Sequence, residues 1–128
     1  MTGIVYDTGA LVAAERGDPT MWAFHRRTLK STDVLPVVPV VVLAQAWRGG
    51  PQAQLSRLLR GCHLQPDTES IGRAAGAACG VARSRDVVDA IVVVTAIALG
   101  GALIVTSDPD DLAHLAAALD AKLPIYPL

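Results

Sequence analysis

Short β-branched runs alternate along this chain with longer stretches rich in alanine and leucine. Gly3–Tyr6 predicts a first strand, and Thr8–Arg16 a short helix directly after it. Gly17-Asp18-Pro19 stops that helix and starts another, with Pro19 near its first turn and Trp22, Phe24 and Leu29 among its apolar positions. Val34–Val38 predicts a short strand. Pro39 suits the first turn of a helix running to about Arg48, which Gly49-Gly50 terminates. Pro51–Arg60 predicts a further helix with Leu55, Leu58 and Leu59 on one face, ended by Gly61, and His63–Gln65 a short strand. Asp67–Arg83 predicts a helix in spite of Gly72, Gly76 and Gly80. Recurring every four residues, those glycines would line one face and let a neighbouring helix approach closely. Asp86–Leu99 predicts a helix, Ala102–Thr106 a strand, Pro109–Leu119 an amphipathic helix and Pro124–Tyr126 a final edge strand.

Strands separated by helices of about ten residues or more imply βαβ crossovers, hence a mainly parallel sheet covered on both faces. The expected fold is a three-layer α/β/α domain, one domain over residues 1–128, with no linker or repeat. The apolar share of 52% suits a folded core of aliphatic side chains. A net charge of −1 excludes a protein that holds nucleic acid by overall basicity, so local arginines or bound cations would have to supply any such attraction. Cys62 and Cys79 are too far apart for a CxxC motif and read as buried free thiols of a reducing compartment. The start Met-Thr-Gly-Ile-Val-Tyr-Asp has no basic n-region, and the apolar run Ala90–Val105 is shorter than the roughly 20 residues of a membrane span. No membrane association and a cytoplasmic location are expected.

The acidic residues carry the candidate chemistry. Asp7 follows the apolar Ile4-Val5-Tyr6, and Asp108 follows Leu103-Ile104-Val105-Thr106-Ser107, so both fall at carboxyl ends of strands, where ligands of such sheets bind. Asp86 and Asp89 open a helix three residues apart, on one face, and Asp111 lies three beyond Asp108 in the same way. Two carboxylates about 5 Å apart repel by roughly 3 kcal/mol at an effective dielectric of about 20. A hard divalent cation, Mg²⁺ or Mn²⁺, removes that penalty, activates water and stabilises charge on a phosphodiester. Capping accounts for part of the same pattern: Asp86 as N-cap with Asp89 at N3, and Asp108 as N-cap before Pro109 with Asp111 at N3. For Asp86 and Asp111, spacing leaves both readings open. Asp7 and Asp89 have less need of that explanation.

The order of motifs resembles the PIN-domain family and, within it, the VapC toxins. The matching pieces are Val5-Tyr6-Asp7-Thr8-Gly9-Ala10-Leu11, Pro39-Val40-Val41-Val42-Leu43-Ala44-Gln45-Ala46-Trp47-Arg48, Asp86-Val87-Val88-Asp89-Ala90 and Val105-Thr106-Ser107-Asp108-Pro109-Asp110-Asp111-Leu112. They span nearly the whole chain. The resemblance implies a PIN-like fold and a Mg²⁺- or Mn²⁺-dependent endoribonuclease that cuts structured RNA such as tRNA or rRNA. It implies in-line attack of an activated water, leaving a 5′-phosphate and a 3′-hydroxyl. Asp7, Asp89 and Asp108 would be the catalytic, metal-binding carboxylates, Asp86 and Asp111 supporting acids, and Thr106 or Ser107 would position water or phosphate. A homodimer silenced by a cognate VapB-like antitoxin is implied as well. One position departs from the family: Gln45 stands where the helix after Pro39 normally carries glutamate. An amide oxygen can orient a water but brings no negative charge, so weaker metal binding is expected.

Arg83 and Arg85, just before Asp86, are the better candidates for phosphate contact. Arg26, Arg27 and Lys30, and likewise Arg48, Arg57 and Arg60, read as solvated helix faces before they read as RNA guides. His25, His63 and His114 lack metal-ligand spacing and are taken as surface or partly packed residues; Trp22 and Phe24 belong to a core or dimer interface. Two rivals stand beside the nuclease. Asp7-Thr8-Gly9-Ala10 matches the short motif of dimeric aspartic proteases, but those are all-β, and Leu11-Val12-Ala13-Ala14-Glu15 continues here as a helix. The other rival is a PIN domain that binds antitoxin or RNA without cutting, which Gln45 favours.

Overall fold

A computed structural model describes residues 3–31 and 34–128; Met1 and Thr2, the first residues of the start expected to lack a signal segment, and Thr32 and Asp33 lie outside them. Strand β1 (Ile4–Tyr6) leads into α1 (Thr8–Glu15) and α2 (Pro19–Ser31), and β2 (Val37–Pro39) into α3 (Val40–Ala46) and α4 (Ala53–Leu59). Strand β3 (His63–Gln65) is followed by α5 (Glu69–Ala82) and α6 (Val87–Ala98), then β4 (Leu103–Thr106), α7 (Pro109–Ala118) and β5 (Ile125–Pro127). The sheet has five strands in the order β3-β2-β1-β4-β5, and every pairing is parallel. The expected α/β/α architecture is thus present, with a sheet that is wholly rather than mainly parallel among the described residues. No helix among them is long and apolar enough to cross a membrane.

Parallel neighbours require crossovers, and right-handed ones fix which face each helix takes. The chain steps from β1 to β2 to β3 in one direction and from β3 to β4 to β5 in the other. Consistent with that reversal, α1 packs on α2, α3 and α4, while α5, α6 and α7 pack on one another. The buried Val5, Val38, Ile104 and Val105 join the sheet to Leu11, Leu55 and Leu58 among the first set of helices and to Val92, Leu112 and Leu115 among the second.

Where the structure departs from the sequence reading, tertiary contacts account for most of it. The second strand lies at Val37–Pro39, not Val34–Val38, because it registers on β3 through Val37 with His63 and Pro39 with Gln65. Pro39 is therefore the last strand residue and the N-cap of α3, rather than part of its first turn. That helix ends at Ala46, not near Arg48. Trp47 is already extended, and Gln52 occupies the freed groups, its Oε1 accepting from Arg48 N–H and its amide donating to Ala46 O. Gly72, Gly76 and Gly80 do not admit a neighbouring helix; a Cβ on any of them would meet nothing within 4 Å. The inner face of α5 is instead Ala75, Ala78 and Ala82. Leu29 is largely exposed, whereas His25 is only 3% exposed, with Nδ1 at 2.9 Å from the Tyr6 hydroxyl. Trp22 and Phe24 are buried, as core residues should be.

Four helices close in one way. After α1, α5, α6 and α7 a left-handed residue (Gly17, Arg83, Gly100 and Asp120) turns the chain. The residue after it donates back to a carbonyl in the last turn, as Ala121 N–H does to Ala116 O and Ser84 N–H to Cys79 O.

Candidate metal centre

The register of the two central strands sets the site. Ile4 pairs with Leu103, Val5 with Ile104 and Tyr6 with Val105, which brings Asp7 level with Thr106 where both strands end. β1 and β4 are also where the strand order reverses, the place at which the crossovers on either side diverge and leave a crevice at the carboxyl edge.

Asp7 is 4% exposed and caps α1, its Oδ1 accepting from Ala10 N–H at 3.0 Å. Its Oδ2 accepts from the fully buried Thr106 hydroxyl, and that same hydroxyl accepts from Asp108 N–H at 2.8 Å. Burial raises the Asp7 carboxyl above its ordinary range, opposed by its hydrogen bonds from Thr106, Ala10 and Gly9 and assisted by the charge of Asp108. Asp86 caps α6 as the sequence allows, accepting from Asp89 N–H at 3.0 Å. Asp108 occupies the N-cap position of α7 without a well-formed side-chain cap, and its carboxylate lies against Asp111.

Asp89, Asp108 and Asp111 each present a carboxylate oxygen, and these atoms all lie within 4.8 Å of one another. Asp111, expected as a supporting acid, thus stands in the tightest group. Asp7 is outside it, held by Thr106 and the α1 amides, although its charge reaches Asp89. The Asp89 carboxyl is pushed up to about 7 by partial burial first, then by a proton-sharing contact with Asp86 and the charges of Asp86, Asp7 and Asp111. Asp108 is raised as well, chiefly by a shared proton with Asp111. Five carboxylates from two strand ends and two helix starts therefore repel one another in one electrostatic unit. An all-oxygen donor set with excess negative charge suits a hard divalent cation.

No protein-family model matches the chain, and no curated protein matches it.

Other residues take defined places. Gln45 is exposed on α3, and its Oε1 accepts from the Thr8 hydroxyl at 2.6 Å, so its carbonyl is tied to the start of α1. Arg83 and Arg85 are exposed between α5 and α6; neither is ion-paired with the carboxylates, the one ion pair among the described residues being Arg73–Glu69. Ser107 is exposed beside Gly9. A Cβ on Gly9 would collide with Ser107 Oγ and fall 3.0 Å from Ser107 N. Sequence reasoning gave Gly9 and Thr8 no role beyond their places in a motif. The one available signal was their place within two residues of Asp7. Helix α1, beginning at Thr8, is incompatible with the all-β protease rival.

Proposed function

We propose that this chain is a divalent-metal-dependent endoribonuclease of the PIN type, a VapC-like toxin cutting structured RNA in the cytoplasm and silenced by a cognate antitoxin. The observation that carries the reading is the convergence of Asp89, Asp108 and Asp111 within 4.8 Å beside the buried Asp7. Bound there, Mg²⁺ or Mn²⁺ would supply an activated water and neutralise charge building on a scissile phosphate. The chain's own part is positional. Thr106 holds Asp7 and the Asp108 backbone in one arrangement, and the α6 cap fixes Asp89. Asp89, Asp108 and Asp111 would hold the ion, with Asp7 and Asp86 adding field. Arg83 and Arg85 remain the candidates to meet the RNA backbone. An apolar groove of about 520 Å³, lined by Val40, Leu43, Trp47 and Leu59 among others, would accept apolar side chains of an antitoxin or of a second copy in a homodimer.

Isothermal titration with Mn²⁺ and cleavage of a tRNA substrate test this together. Asparagine keeps the shape and acceptor of Asp108 without its charge, so Asp108→Asn should leave the chain folded with its melting temperature unchanged or slightly higher. Metal binding should fall at least roughly tenfold and cleavage should be lost. Wild-type protein that neither binds Mn²⁺ nor cuts RNA would end the proposal. The second reading, binding without cutting, rests on Gln45; growth arrest on expression that is identical for wild type and Asp7→Asn would favour it.

A further inference from the structure

Away from the acidic edge, a cavity of about 490 Å³ opens between the C-terminal halves of α2 and α4, near the start of β3. Arg26, Arg57 and Arg60 line it with Trp22 and His25, and no carboxylate does. None of the three arginines has an ion-pair partner among the described residues. Cations in a last helical turn suit the helix dipole. That alone does not explain why cations from two helices face one cavity.

The aromatic side of the cavity is held in place. The Trp22 indole N–H donates to Ala14 O at 2.9 Å, and the Arg57 guanidinium lies 4.2 Å from the centre of that ring. His25 is almost wholly buried, and its Nδ1 is taken by Tyr6. Burial raises the Tyr6 phenol well above its ordinary range, so it keeps its proton beside Nδ1. Burial and then the charge of Arg26 lower the His25 imidazole, favouring its neutral form, and Nε2 is the ring nitrogen nearest Gly61. That nitrogen makes no hydrogen bond among the described residues. It would lie 3.0 Å from a Cβ on Gly61, so a side chain there would close the space. An imidazole edge and three arginine side chains thus share one concave surface.

We infer that this cavity is an oxyanion site for a phosphoryl group, carried by a free oligophosphate or by an RNA strand. Guanidinium groups match phosphate oxygens in geometry and stay charged at every working pH. The Leu29 side chain adds an apolar wall for whatever bears the phosphate. The inference is independent of the metal centre and of the nuclease reading.

The test is calorimetric titration of the full chain with pyrophosphate in low salt and EDTA, which removes any ion that could draw phosphate to the aspartates. Saturable binding with Kd below about 1 mM is expected. The double variant Arg26→Gln/Arg60→Gln should weaken it roughly tenfold or more. An equal charge change elsewhere, Arg27→Gln/Lys122→Gln, should alter it less than about twofold. Amide shifts in the NMR spectrum should centre on Gly61 and His25. A short RNA that displaces pyrophosphate assigns the phosphoryl group to RNA, and one that does not assigns it to a free anion. Absence of saturable binding, equal loss in the two double variants, or shifts centred on Asp7 and Asp89 would overturn the inference.

Discussion

The Thr106 hydroxyl serves two strand-end aspartates, donating to Asp7 Oδ2 and accepting from Asp108 N–H. Next to it, Gly9 allows the loop bearing Asp108 to lie against α1. Gly9→Ala places a methyl 2.9 Å from Ser107 Cβ and 3.0 Å from Ser107 N, so backbone has to move, not merely a rotamer. Overpacking of this kind costs about 1–3 kcal/mol. Thermal unfolding should show that loss, and Mn²⁺ affinity should fall with it; an unshifted melting curve would mean that the loop yields freely. At Gln45 the expectation runs the other way. Thr8 can donate to a carboxylate as readily as to the amide oxygen, so Gln45→Glu keeps the contact and adds charge. Metal binding should tighten several-fold, and an unchanged titration would remove Gln45 from the site.

At the scale of elements, four helices end in the same turn, but only two have glycine at the left-handed residue. Asp120, exposed and at the opposite end of α7 from Asp111, has φ 54°. Asp120→Gly should raise stability by about 0.5–1 kcal/mol, the relief of left-handed strain exceeding the added freedom of the unfolded chain. Chemical denaturation measures it directly. The elements were largely legible in sequence because apolar runs, prolines and turn glycines are local signals. The carboxyl ends of β1 and β4 were legible for the same reason, and Asp7 and Asp108 with them. What could not be read locally was set by distant partners. Val37–Pro39 became the strand by pairing with β3, α3 was cut short at Trp47, and His25 was drawn inward by Tyr6. Likewise, whether Asp108 caps α7 is a matter of side-chain geometry, which spacing does not fix.

For the whole molecule, the acidic cluster links stability to pH. Asp89 titrates near 7 when folded and near 4 when unfolded, so the folded state binds its proton more tightly. That preference favours folding fully below about pH 4 and is lost as pH rises through about 7. Asp7 and Asp108 act in the same direction, and His25, lowered on folding, acts oppositely on the acid side. In EDTA, the melting temperature should therefore fall between about pH 5 and 8, less steeply in Asp89→Asn. Mn²⁺ should restore more at the alkaline end. A slope identical in the variant would show that Asp89 is not its source. Convergence of the carboxylates could be anticipated from their places at strand ends and helix starts, whereas the inclusion of Asp111 and the withdrawal of Asp7 into the Thr106 contact required coordinates.

The first strand sits in the middle of the sheet, and its partner on one side arrives only with β4. Thr106 reaches Asp7 across 99 positions of chain. Contacts so remote in sequence close late. A nascent chain on the ribosome therefore carries Asp7 long before it carries the rest of the cluster. Interrupted translation would release fragments with scattered acids and no assembled centre, so whatever chemistry the centre performs is withheld until synthesis has passed Asp111.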